Sequence, residues 1–150
     1  MHAGAVRRKL EAFLKVFLDT SVLYSALWAD TVAHEVIRAA YARRWNLFVS
    51  DYVVAEWEKI IVRIHAPVAK KLLNTAQRLA LIFDVVTTPE SKHIVVADSA
   101  DSPVLRGAVA CGADYLLSFD THLLKLHPYE GIEIVRAGEL LRIIHEQYMV

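Results

Sequence analysis

The chain has 150 residues, 55% of them hydrophobic, with 17 acidic and 17 basic side chains and hence a formal net charge of zero. This balance disfavours a passive nucleic-acid binding module, and the single cysteine excludes both an internal disulfide and a cysteine zinc site. No apolar run approaches the roughly 18 residues of a membrane span or resembles a signal peptide, so we expect a cytoplasmic protein without membrane contact.

The first half of the chain begins with residues 1–14, where basic side chains precede apolar ones in a pattern that predicts a short amphipathic helix or an ordered tail. The apolar run Val16–Leu18 is typical of a strand buried on both faces. In chain order, the pattern then predicts helices at 22–28 and 31–44, a strand at 46–50, and helices at 51–64 and 67–81.

The second half continues the alternation of strands and helices. Residues 94–96 are either an edge strand or an apolar loop. The other elements expected are a strand at 83–87, a helix at 102–111, a strand at 115–118, a helix at 121–126, a strand at 132–135 and a helix at 138–147. Strands that alternate with helices predict a parallel sheet. We therefore expect a single domain over 1–150, folded as a three-layer α/β/α sandwich with a central, mostly parallel sheet.

Four acidic residues occupy similar places relative to these strands. Asp19 and Asp120 each follow a buried strand, Glu56 lies in the first turns of a helix after a strand, and Asp101 lies at the start of a helix. Right-handed crossovers bring such junctions to one edge of the sheet, where open α/β folds bind ligands. Helix capping accounts for each aspartate alone but does not account for Glu56.

Carboxylates that share a pocket raise one another's pKa, so they stay ionised together only beside a cation. Oxygen ligands without cysteine or a histidine cluster select hard cations, which predicts Mg²⁺ or Mn²⁺. Two such ions can activate a water molecule and stabilise the leaving oxygen of a phosphate ester. The pattern therefore indicates metal-dependent hydrolysis of a phosphodiester or phosphate ester.

The segments around the four acids are Val16–Ser21, Val49–Glu56, Asp98–Leu105 and Ala113–Asp120. In this order they resemble the four motifs of the PIN domain ribonucleases, and within that family the VapC-like toxins and their stand-alone relatives. The resemblance implies an endoribonuclease that uses Mg²⁺ or Mn²⁺ and leaves a 5′-phosphate and a 3′-hydroxyl. It also implies that the metal ligands and catalytic residues are Asp19, Glu56, Asp101 and Asp120.

The resemblance extends to supporting residues and to partners. Ser21 and Ser118 would hydrogen-bond around the metal ligands, and Asp98 would orient a metal-bound water. Arg106 and His122 are candidate contacts for the RNA substrate, although ordinary surface positions explain them equally well. A toxin would be neutralised by an antitoxin protein covering the acidic site. A homodimer, common in the family, also suits the high mean hydropathy of +0.32.

Two other functions explain parts of the pattern. A PIN-like scaffold that binds RNA or protein without useful turnover is disfavoured by the four retained acids and by the lack of excess positive charge. A phosphatase with Asp19 as its nucleophile usually has a second aspartate two residues later, where this chain has Ser21. A nucleotide-binding module is disfavoured because the five glycines form no glycine-rich loop.

Overall fold

The structure is a computed structural model that describes residues 14–64, 66–90 and 101–148. Three predictions lie outside the described residues: the N-terminal helix or tail, the edge strand or loop at 94–96, and the role of Asp98. The side chain of Asp101 also lies outside them, although its backbone begins a described helix.

Five strands form one sheet in which every neighbouring pair runs parallel. The order across the sheet is β3-β2-β1-β4-β5, so the first strand of the chain is the central one. Val16, Phe17 and Leu18 are fully buried, which confirms that the first strand is covered on both faces. The strands are β1 (Lys15–Leu18), β2 (Asn46–Ser50), β3 (Asp84–Val86), β4 (Tyr115–Leu117) and β5 (Glu133–Val135).

Helices connect successive strands, and the predicted three-layer α/β/α fold class is confirmed. In the described part of the chain, α2 packs against α7, and α3 packs against α1 and α4. A short 3₁₀ turn, Ala66–Val68, precedes α4. The helices are α1 (Thr20–Ser25), α2 (Val32–Ala42), α3 (Asp51–Ile64), α4 (Ala69–Ala80), α5 (Asp101–Ala110), α6 (Thr121–Leu124) and α7 (Ala137–Tyr148). None of the helices in these described ranges is long and apolar enough to cross a membrane.

Several helix ends lie one to three residues from their predicted positions, and the clearest differences are at the end of α1 and at the start of α4. The helix predicted over 22–28 is α1, which ends at Ser25 and leaves Trp28 38% exposed. The Thr31 hydroxyl donates to the carbonyl oxygens of Ser25 and Trp28, so a hydrogen-bonded turn replaces the last helical turn. Val68 lies within the helix predicted at 67–81, but it belongs to the 3₁₀ turn before α4, whose periodicity differs from that of an α-helix, and it is 50% exposed.

Helix α5 lies unusually close to the sheet because of one glycine. A Cβ atom at Gly107 would lie 2.9 Å from Phe17 Cζ and 3.1 Å from Ser50 Cβ. Phe17 belongs to β1 and Ser50 to β2. Gly107 therefore sets the distance of α5 from β1, which leads into the candidate site, and from its neighbour β2.

Candidate active site

The candidate site lies at the carboxyl ends of the two central strands, β1 and β4. Their parallel register pairs Leu18 with Leu117, so the next residues, Asp19 and Ser118, are neighbours across the sheet edge. The backbone N–H of Asp19 donates to the Leu117 carbonyl at 3.0 Å and continues the strand pairing by one residue. Sheet pairing therefore fixes the backbone position of Asp19.

The carboxylate of Asp19 is almost completely buried and accepts three hydrogen bonds. Its Oδ1 accepts from the backbone N–H of Thr20 at 2.7 Å, which is the capping interaction at the start of α1. Its Oδ2 accepts from Ser118 Oγ at 2.7 Å and from Ser21 Oγ at 3.1 Å. Asp19 caps the helix and also presents a buried negative charge, so capping alone does not describe it.

The same two serines connect Asp19 to the segment that carries Asp120. Ser118 Oγ accepts from the backbone N–H of Asp120 at 2.9 Å, and Ser21 Oγ accepts from the backbone N–H of Phe119 at 3.0 Å. Asp120 in turn accepts from the backbone N–H of His122 at 2.9 Å and caps α6. The hydrogen bonds of Ser21 and Ser118 therefore hold the two aspartates in adjacent positions.

Electrostatics at this edge favour a cation. Burial raises the pKa of Asp19 above its ordinary range, and this effect outweighs the hydrogen bonds from Ser118, Thr20 and Ser21, which lower the pKa. The nearby charge of Asp120 raises the pKa of Asp19 further. An ionised Asp19 is therefore costly in the protein alone, and a bound cation would offset that cost.

A buried hydroxyl beside Asp19 also indicates that something else binds here. Thr20 is 7% exposed, and its Oγ1 is buried without a hydrogen-bond partner among the described residues. A buried polar atom left unsatisfied costs about 1–3 kcal/mol and calls for an ion, a water or a ligand. Carboxylate and hydroxyl oxygens are the ligands that Mg²⁺ and Mn²⁺ prefer, so the residues at this edge fit the predicted metal.

Of the other two predicted ligands, only Glu56 has a side chain within the described residues. Glu56 is half-buried on α3, next to the buried Trp57, and α3 packs against α1 and α5. Among the described side chains, no three or more His, Cys, Asp or Glu form a group that could hold a metal ion. The structure thus brings Asp19 and Asp120 together but does not add Glu56 to them. Carboxylates repel one another when no cation lies between them.

The two candidate RNA contacts, Arg106 and His122, each follow a predicted metal ligand closely in the chain. Arg106 donates from Nε to the Pro89 carbonyl at 2.7 Å and from Nη1 to Ser102 Oγ at 2.5 Å. These bonds tie the segment after β3 to α5, so part of the guanidinium serves the fold. His122 is exposed in the first turn of α6. For both residues, a contact with RNA stays a prediction.

Sequence reasoning missed two residues at this edge. The unpartnered hydroxyl of Thr20 has a sequence signal, a polar residue on the buried side of the short helix α1. Asp51 follows β2 as Asp19 follows β1, but it is exposed and accepts from the backbone N–H of Thr88 at 2.8 Å and from Thr88 Oγ1 at 2.5 Å. These hydrogen bonds lower the pKa of Asp51. Position after a strand does not separate the two aspartates, whereas the resemblance of Val16–Ser21 to a PIN domain motif selects Asp19.

The fold and this site define a class of α/β domain in which the central strands of a parallel sheet end on carboxylates suited to a divalent cation. Residues 15–122 match the family model described as PIN domain. The chain belongs to the PIN domain family. This confirms the resemblance recognised in the four acidic motifs, all of which overlap the matched region.

Solved structures of other proteins share the fold, and two of them are of Vap proteins. One is the structure of VapBC2 from Rickettsia felis bound to a DNA fragment from the VapBC2 promoter. Its TM-score is 0.61 and its sequence identity is 12%, over 81% of this chain and 97% of that chain. The other is VapC20 of Mycobacterium tuberculosis, a sarcin-ricin loop cleaving toxin, with a TM-score of 0.55 and 17% identity over 79% of this chain and 98% of that chain. No curated protein sequence matches the chain.

Proposed function

We propose that the protein is a metal-dependent endoribonuclease that hydrolyses phosphodiester bonds of RNA at the carboxyl edge of its central sheet. One observation carries the proposal: the carboxylate of Asp19 is buried beside Asp120, where two serine hydroxyls hold it and burial raises its pKa, and a bound cation would favour its ionised form. Membership of the PIN domain family supports a nuclease. The similarity to a toxin that cleaves the sarcin-ricin loop supports RNA as the substrate.

We assign Mg²⁺ or Mn²⁺ to Asp19, Glu56, Asp101 and Asp120. When bound, such an ion lowers the pKa of the attacking water and stabilises the negative charge on the leaving oxygen. Ser118 and Ser21 keep the carboxylate of Asp19 in one orientation and hold the backbone before Asp120 against it. We also propose that Asp98 orients the attacking, metal-bound water.

We further propose that the protein is the toxin of a toxin–antitoxin pair, with an antitoxin that covers the acidic edge. Both similar structures are of Vap proteins, and one of them is bound to promoter DNA. We also propose a homodimer, because Val62, Ile64 and Val68 are each at least half exposed and lie close together in sequence. Light scattering of the purified protein, alone and with a co-expressed partner, measures both associations.

The test is cleavage of a pool of labelled single-stranded and hairpin RNAs with Mg²⁺ or Mn²⁺. We expect cleavage with 5′-phosphate ends that disappears when the metal is chelated and in the Asp19→Asn variant. Asp51→Asn is the matched control, since it alters the same type of residue after the neighbouring strand. If folded, metal-binding protein cleaves no better than Asp19→Asn, the proposal is wrong for these RNAs and the scaffold function gains support.

A further inference from the structure

A large aromatic side chain is exposed on the helix–turn unit that begins at the candidate site. Trp28 is 38% exposed, whereas Val22 and Leu23, earlier in the same unit, are fully buried. An exposed indole offers a large, flat apolar face on which another planar ring can stack.

The position of Trp28 is held by several contacts. Its ring meets that of Tyr24 edge to face, with centroids 5.3 Å apart and an interplanar angle of 66°. The Thr31 hydroxyl donates to the Trp28 carbonyl at 2.8 Å and to the Ser25 carbonyl at 2.9 Å. The backbone N–H of Trp28 donates to the Ser25 carbonyl at 3.3 Å. The indole thus stands on an ordered turn, and a ligand that stacks on it loses little freedom of the protein.

Trp28 belongs to the same local unit of the fold as the candidate catalytic aspartate. Asp19 caps α1, which ends at Ser25, and Trp28 lies three residues further on, in the turn between α1 and α2. One short helix and part of a turn therefore connect the candidate site to the exposed indole.

An open cavity of about 730 Å³ begins at the next residue, Ala29, and follows the exposed side of α2. Its lining includes His34, whose Nδ1 lies 2.9 Å from the Ala26 carbonyl. A carbonyl only accepts hydrogen bonds, so Nδ1 carries the proton and Nε2 is the acceptor in the neutral ring. Asp30, Glu35 and Arg38 add two carboxylates and one guanidinium. The carboxylates disfavour a phosphate but suit the amino groups of a nucleobase.

We propose that Trp28 and the cavity that begins at the next residue form a subsite for an unpaired RNA base, which stacks on the indole while another part of the same strand is cleaved at Asp19. The subsite rests on the proposed nuclease function. A chain with no net charge gains little general attraction to phosphates, so stacking on an aromatic ring supplies affinity that the charge balance does not. Bases of a duplex are already stacked, so the subsite selects single-stranded substrate.

The test measures RNA binding by fluorescence anisotropy in the Asp19→Asn protein, so that the RNA stays intact. The probes are labelled oligoadenylate and oligouridylate of about 12 nucleotides, a length typical of single-strand sites, and the duplex that they form. We expect Trp28→Ala to raise the Kd for the single strands about tenfold, with little effect on the duplex. Trp28→Phe keeps a ring and should recover most of the affinity. Leu81→Ala is the control, because Leu81 is 85% exposed and precedes the opposite end of the sheet.

The same substitutions in the active protein separate this inference from the nuclease proposal. Trp28→Ala should raise KM and leave kcat nearly unchanged, since the base lies away from the reacting phosphate. An unchanged Kd in Trp28→Ala, or a parent protein that binds none of the probes, would overturn the inference. A shift in oligomeric state without a change in RNA affinity would also overturn it and assign Trp28 to a protein contact. Absence of cleavage with intact Trp28-dependent binding would instead contradict the nuclease proposal.

Discussion

Asp19 and Asp51 follow neighbouring strands, and each accepts a hydrogen bond from the backbone N–H of the next residue, yet their environments have opposite effects. Asp19 is buried, and its pKa is raised by that burial. Asp51 is exposed, and hydrogen bonds from Thr88 lower its pKa. Burial therefore disfavours the charged form of Asp19, whereas hydrogen bonds favour the charged form of Asp51. Position after a strand identifies both as candidates, and burial is what distinguishes the one assigned to the proposed metal site.

The largest expected effect separates these two residues in cleavage. Asp19→Asn should reduce RNA cleavage by about 10³-fold, the scale of losing a central electrostatic group, while leaving thermal stability equal or higher. Asp51→Asn should cleave like wild type. Steady-state cleavage and thermal unfolding of both variants measure this. Equal losses of activity would show that the two carboxylates do not differ in function.

Added metal should sharpen the same contrast. At about 100 times its Kd, Mn²⁺ stabilises the folded state by about 2.7 kcal/mol, which raises the Tm of a domain of this size by about 5–10 °C. We expect this rise in wild type and in Asp51→Asn, and a much smaller one in Asp19→Asn. Differential scanning fluorimetry with and without chelator provides the measurement.

The serine that joins the two sides of the site should affect both activity and stability. Ser118 is fully buried, donates to Asp19 and accepts from the backbone N–H of Asp120. Ser118→Ala should lower cleavage about 10- to 100-fold and should lower the free energy of unfolding by about 1–3 kcal/mol, because it leaves both hydrogen-bond partners unsatisfied. Ser21→Ala should have smaller effects, since Ser21 is only partly buried and its bond to Asp19 is longer.

Helix α5 packs closely against β1 and β2, the strands that precede Asp19 and Asp51, and this contact offers a test of packing. Gly107→Ala should lower the free energy of unfolding by about 1–2 kcal/mol. The added methyl group overpacks against Phe17 and Ser50, and this cost exceeds the gain of about 1 kcal/mol from the higher helix propensity of alanine. Gly138→Ala on α7 is the matched control, because its Cβ would meet only Val32 at 3.9 Å. Urea denaturation should show it unchanged or more stable.

The smallest effect concerns Asp51 itself. Asp51→Asn should cost about 0.5–1 kcal/mol through weaker hydrogen bonds to Thr88, a modest value because the site is exposed. The folded-state pKa of Asp51 lies below its ordinary value of 3.8, so its contribution is present above that pH and is lost as the pH falls through the folded-state pKa. Denaturation at neutral and at acidic pH should show the difference between wild type and variant shrinking in acid.

Much of the fold could be predicted from local pattern. Short apolar runs such as Val16–Leu18, bounded by polar residues, identify buried strands, and strands separated by helices dictate parallel pairing. Helix ends were less predictable, because the turn between α1 and α2 depends on side-chain hydrogen bonds from Thr31. The pattern treats Trp28 as part of an apolar helix, although the folded chain exposes it.

For the site, the order of residues along the chain shows which acids follow strands, and hence that Asp19 and Asp120 lie at one sheet edge. Three features depend on the folded chain: Ser118 hydrogen-bonds Asp19 across 99 positions, the Thr20 hydroxyl is buried without a partner among the described residues, and Asp51 is exposed. Strand and helix formation depends on neighbouring residues, whereas burial and pKa depend on atoms that only folding brings together.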